Sequence, residues 1–171
     1  MLEIPADDLH YVISLEEIAW GMALIAITMT LHGLGMLLAM QTGESVSRRL
    51  ERYEGYLVGV LSIVVASWII VIVHLTEAII WAGFFVWKGA MPTGSISYYF
   101  TVMEYTTVGS QYNLPLHWRL LEGMVATAGL LCFAWSTGVL LTLAQEFQQK
   151  QLAARLKRRQ HNPRSGQTKP S

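Results

Sequence analysis

Three stretches of this chain, 18–40, 56–87 and 116–144, are each strongly apolar over some twenty residues or more. Roughly 20 apolar residues are needed to cross a hydrocarbon core of about 30 Å. A helix that is apolar all round needs a core or a bilayer around it, and 171 residues offer little room to bury three of them. The composition agrees, with 53% hydrophobic and only 14% charged residues, values of a membrane protein rather than a soluble one. One compact, all-α membrane domain is the expectation. As a helix, 56–87 would reach nearly 50 Å at 1.5 Å per residue, so it must tilt or project beyond the core. Trp81, Phe84, Phe85 and Trp87 suit an interfacial end.

The formal net charge is zero, but the basic residues are segregated. Arg48, Arg49 and Arg52 share one short loop, and Lys150, Arg155, Lys157, Arg158, Arg159, Arg164 and Lys169 share the C-terminal tail. A basic tail that directly follows a hydrophobic helix points to retention on the cytoplasmic side and to anionic lipid headgroups, not to nucleic acid. The loop and tail are therefore expected inside, and the N-terminus and 88–115 outside. Three spans satisfy those sides only if 88–115 leaves and returns on the outer face. The start of the chain, with Glu3, Asp7 and Asp8, lacks the basic region of a signal peptide, so the first span is expected to be retained. Cys132 lies mid-span and reads as a small packing residue.

The returning segment has recognisable parts. Residues 91–95, Met-Pro-Thr-Gly-Ser, form a turn-rich approach. A short helix is expected over 95–105, with Ser95 as N-cap. Extended backbone is expected over 106–111, ending at Pro115, which starts the third span. Non-helical backbone at membrane depth is tolerated only where protein buries it or water lines it. The run Thr106-Thr107-Val108-Gly109 resembles the filter of the potassium-channel superfamily, and the segment around it resembles that family's pore helix and loop.

Other residues carry the resemblance from about His74 to Gln145. Tyr99-Phe100 falls where family members have an aromatic pair on the pore helix, and Pro115 matches a proline after the filter. Gly129, Phe133-Ala134 and Thr137-Gly138 look similar to the inner-helix hinge and the pair that follows it. The resemblance implies three transmembrane helices plus a re-entrant pore helix and filter loop, four chains around one axis, and passive conduction of potassium. Thr106, Thr107, Val108 and Gly109 would line the filter, carbonyl oxygens replacing the ion's water shell. Tyr99, Phe100 and Glu104 would support it, and Gly129 would be the gating hinge. The short helix would aim its terminal carbonyls at the cavity, favouring a cation. The family continues Tyr-Gly-Asp where this chain has Ser110-Gln111-Tyr112. A side chain at the left-handed position expected for Gln111 costs roughly 1–2 kcal/mol. The outer filter would widen there, letting sodium leak.

His74 and Glu77 are three apart on one face of the second span. An intramembrane ionisable pair is a functional candidate, as a pH gate or filter support. The plainer and preferred assignment is a solvated helix end. Two ligands fall short of the three or four a metal site needs, so no metal beyond the permeant cation is expected. His32, beside Gly33 and Gly35, is expected to make one interhelical hydrogen bond.

The expected organisation is 1–55 as outer segment, first span and basic loop, 56–145 as pore domain, and 146–171 as a tail. The tail would be helical over 145–159 and disordered from 161. No cofactor is expected, and no enzyme, since no nucleophile–base pair is present. No span carries the spaced arginines of a voltage sensor. The location would be a bacterial plasma membrane, N-terminus outside. A second reading is a non-conducting, channel-like subunit that oligomerises with a partner.

Overall fold

The computed structural model describes residues 11–49 and 56–161. Four α-helices follow in order: α1 (Leu15–Arg49), α2 (Tyr56–Trp87), α3 (Gly94–Tyr105) and α4 (Leu120–His161), with a 3-10 turn at Leu116–Trp118 just ahead of α4. No strand occurs among the described residues. Three helical stretches, Leu15–Val46, Gly59–Trp87 and Leu116–Ala153, are long and apolar enough to cross a membrane, the pattern of a multi-pass membrane protein. The helical reading beyond 145 holds, as α4 runs unbroken to His161. The expectations for residues 1–10, for the side chains of Arg48, Arg49 and Arg52, and for 162–171 lie outside the described residues.

α1 and α2 run antiparallel. Thr28 accepts a hydrogen bond from the Trp81 indole at 2.9 Å, Gly35 lies against Val73, and Gly43 against Ser62 and Ala66. α4 runs parallel to α1, as Gly21 meets Met124 and Gly33 meets Trp135. The first span is thus no appendage, since α1 packs on both α2 and α4 along its length.

The start of α1 is tied to the start of α4 by one carboxylate. Ser14 and Glu17 form a capping box: Ser14 Oγ accepts from Glu17 N at 3.1 Å, and Glu17 Oε2 accepts from Ser14 N at 3.0 Å. The same buried carboxylate accepts from Leu120 N at 3.2 Å through Oε1. A negative charge between two helix N-termini is stabilised by both dipoles. The Ser-x-x-Glu pattern was present in the sequence as the signal for it.

α3 begins with Thr93, not Ser95, as N-cap: its hydroxyl accepts from Ile96 N at 3.3 Å. The helix then descends. Ser97 Oγ donates to Ala82 O at 2.8 Å near its start, and Tyr105 at its end meets Glu77 and His74. The aromatic end of α2 is mostly core rather than an interfacial belt. Trp81, Phe84 and Phe85 are buried, with Phe85 edge-on to Phe100 at 5.7 Å. α3 supplies the cover that a lone span would lack. Only Trp87 stays largely exposed, beside Lys88, whose ammonium lies 4.5 Å from the Trp20 ring centre and 3.3 Å from Glu16 Oε1.

Candidate functional site

Two polar regions meet at the end of α3. The first is the segment 106–111. Tyr105 rests against Gly129, where any Cβ would collide with the Tyr105 carbonyl. The reason for a glycine at 129 is therefore close approach of α3, and α4 passes through it without a break. Gly129 lies nine residues into α4, about 14 Å along the axis, roughly half the thickness of a hydrocarbon core. From there 106–114 climbs back to the start of α4, where Leu114 N donates to Glu122 Oε1 at 2.6 Å.

The expected extended run is instead a turn wound off the helix at its first residues. Thr106 N bonds Val102 O at 3.0 Å, Thr107 N bonds Glu104 O at 2.8 Å, and Val108 N and Gly109 N both reach Met103 O, at 3.0 and 3.2 Å. These amides satisfy the carbonyls at the end of α3, so those carbonyls are not the ones aimed at open space. Positive φ falls at Thr107 (61°) and Gly109 (83°), and Gln111 is not left-handed. The strain assigned to Gln111 is therefore absent, and the non-glycine residue that bears it is Thr107. The amides of 106–109 all turn back onto the end of α3.

Thr106, Thr107, Val108, Gly109 and Gln111 are exposed on the single chain, and Ser110 is half-buried. Glu104 braces the segment, accepting from Ser110 N at 2.8 Å. Ser110 Oγ accepts from Tyr112 N at 3.0 Å, and the half-exposed Tyr99 ring meets Tyr112 edge-on at 6.2 Å. Phe100 is wholly buried beneath.

The second region is a closed ring of five side chains from all four helices. Glu77 Oε1 lies 3.0 Å from His32 Nδ1. His32 Nε2 lies 3.2 Å from Ser136 Oγ, which is 3.0 Å from His74 Nε2. His74 Nδ1 lies 3.0 Å from Tyr105 Oη, and that hydroxyl donates to Glu77 Oε2. All five residues are buried. The solvated helix end preferred for His74 and Glu77 is overturned, because α1, α3 and α4 close over them. His32 makes two hydrogen bonds across helices rather than one.

Sequence reasoning missed Tyr105 and Ser136 here, and kept His32 apart from Glu77. With Glu77 ionised and both imidazoles neutral, the ring's five contacts have four protons to share, one each from His32, His74, Ser136 and Tyr105. One further cation, a proton or a metal ion, is needed to leave no pair of lone pairs facing each other. No protein-family model, curated protein or solved structure matches this chain, so function rests on these two regions.

Proposed function

We propose that the protein is a passive cation channel of the potassium-channel type. Four copies surround one axis, and each contributes the turn 106–111 to the filter. The observation that carries this reading is the Thr106-Thr107-Val108-Gly109 run on the end of a helix that stops about halfway along the spans. The run is exposed on a single chain, and Val108, its one apolar side chain, is largely exposed with it. An exposed apolar side chain on non-helical backbone at that depth calls for neighbours around it, and a ring of such backbone calls for an ion. α3 is read as the re-entrant pore helix and 106–115 as the return. Potassium is the leading permeant ion. Sodium follows it through an outer mouth shaped by Ser110 and Gln111, where no Tyr-Gly pair stands.

The tail, with Lys150 and Arg155, faces the cytoplasm and its anionic headgroups, which puts the N-terminus outside a plasma membrane. A second reading is favoured by one observation. The amides of 106–109 bond the end of α3 in a turn, and a turn fixed in that form is a silent channel-like subunit.

Purified protein in liposomes, with potassium inside and sodium outside, decides between them. The expected result is a current whose reversal potential favours potassium and which Gly109→Ala abolishes. Lack of any current, in a protein where Ser110→Tyr with Gln111→Gly creates potassium flux, would overturn conduction in favour of the silent subunit.

A further inference from the structure

The buried ring is more than a hydrogen-bonded clasp. Both imidazoles turn Nε2 toward the single hydroxyl of Ser136, at 3.2 and 3.0 Å, and Ser136 Oγ lies 3.8 Å from Met36 Sδ as a donor. In the tautomer that carries each imidazole proton on Nε2, the serine oxygen accepts from both rings and turns its own proton out of the ring toward that sulfur. The two Nδ1 lone pairs then face the Glu77 carboxylate, at 3.0 Å for His32 and 3.6 Å for His74. Lone pairs of nitrogen and oxygen at those distances repel unless a cation lies between them.

We propose that His32, His74 and Glu77, with the Tyr105 hydroxyl oxygen as fourth donor, bind one divalent transition ion of the zinc class. Donor atoms of His32, His74 and Glu77 lie within 4.8 Å of one another. A four-coordinate zinc with ligands at about 2.0–2.1 Å separates its donors by about 3.3–3.4 Å. His32 Nδ1 lies 3.0 Å from Glu77 Oε1 and His74 Nδ1 lies 3.6 Å from Oε2, while Tyr105 Oη sits closer still to Oε2, so seating the ion requires the carboxylate to turn and the Tyr105 hydroxyl to draw back. Imidazole with carboxylate suits zinc, copper or iron rather than magnesium or calcium.

The Ser136 oxygen behind both rings does what outer partners do in histidine metal sites: it fixes tautomer and orientation. Loading with loss of the Tyr105 hydroxyl proton leaves the ion, one carboxylate, one phenolate and two neutral imidazoles. That set has no net charge, the state a buried site favours. The ion would join α1, α2 and the last residue of α3, and so would fix the depth of the 106–111 turn. This site stands apart from conduction, and either can hold without the other.

The test uses the tag-free full-length chain in detergent, stripped with a chelator and titrated with Co2+ as an optical probe, then with Zn2+. The expected result is one Co2+ per chain with the intense visible bands of four-coordinate cobalt, displaced by Zn2+. Glu77→Gln should abolish the bands, and Ser136→Ala should weaken binding about 10–100-fold while keeping the same number of bands. Tyr105→Phe should keep binding but alter the spectrum, since it exchanges one oxygen donor for water. The wild-type titration needs no variant to fold. Absence of four-coordinate bands at saturating Co2+ overturns the site, and so does binding that persists unchanged in a helical Glu77→Gln protein.

Discussion

The two polar regions at the end of α3 are built on opposite terms. In the ring of His32, His74, Glu77, Tyr105 and Ser136, every member touches at least two others and all are buried. In the 106–111 segment the side chains mostly face outward. Its order comes from four amides folded back on α3 and from one carboxylate, Glu104. The first region spends polar groups on holding helices together. The second spends its amides and the Thr106 and Ser110 hydroxyls on local bonds and leaves the Thr107, Val108 and Gln111 side chains turned outward, as a surface that meets an ion or a neighbour requires. Substitutions in the ring should therefore cost stability, and substitutions in the segment should cost conduction while leaving the fold intact.

Glu77→Gln should have the largest effect. Removing the charged partner of buried groups costs about 3–5 kcal/mol, measurable as a lower unfolding midpoint in detergent; a midpoint unchanged from wild type would break the contrast outright. Gly129→Ala comes next, at about 1–3 kcal/mol for overpacking, because the new methyl group meets the Tyr105 carbonyl. Circular-dichroism melts check it, and a neutral result would mean that α3 can retreat. Gly109→Ala should cost about 1–2 kcal/mol locally from its φ of 83°, with potassium flux lost in the liposome assay. Glu104→Gln weakens one charge-assisted bond to Ser110 N, worth about 1 kcal/mol, and should show as faster hydrogen exchange at Ser110. Val108→Ala is the smallest perturbation of the fold, within about 0.5 kcal/mol, yet it should change the potassium-to-sodium permeability ratio. If it alters neither, the segment has no conducting role.

Much of this fold was legible in the chain. An apolar run of twenty residues has few alternatives to a span, so 56–87 matched α2 to the residue, and Pro115 marked the turn into α4. The filter-like segment was legible because it is local: six adjacent residues carry the pattern. The ring was not. Its members lie 28 to 104 residues apart where they cross helices, and helical periodicity says which face a residue occupies but not which helix will cover it. Tyr105 and Ser136 look like ordinary residues of apolar helices until Glu77 is opposite them. The same limit misplaced Trp81 and Phe85, since an aromatic at a helix end is interfacial only if no other helix covers it. Gln111 was misjudged for a different reason. Its expected backbone angle came from the family pattern, and a chain that turns earlier, at Thr107, has no need of it.

The Glu17 carboxylate serves an amide 103 positions further along the chain, and ribosomes deliver the two at different times. α1 and α2 leave the exit tunnel with His32 and Glu77 already able to meet, but with the amide at 120 and the hydroxyl at 136 still unmade. A chain cut short before α4 would lodge in the bilayer with a carboxylate and two imidazoles lacking their last partners. Only with the final helix in place do the polar groups near the start of the chain gain the partners that bury them.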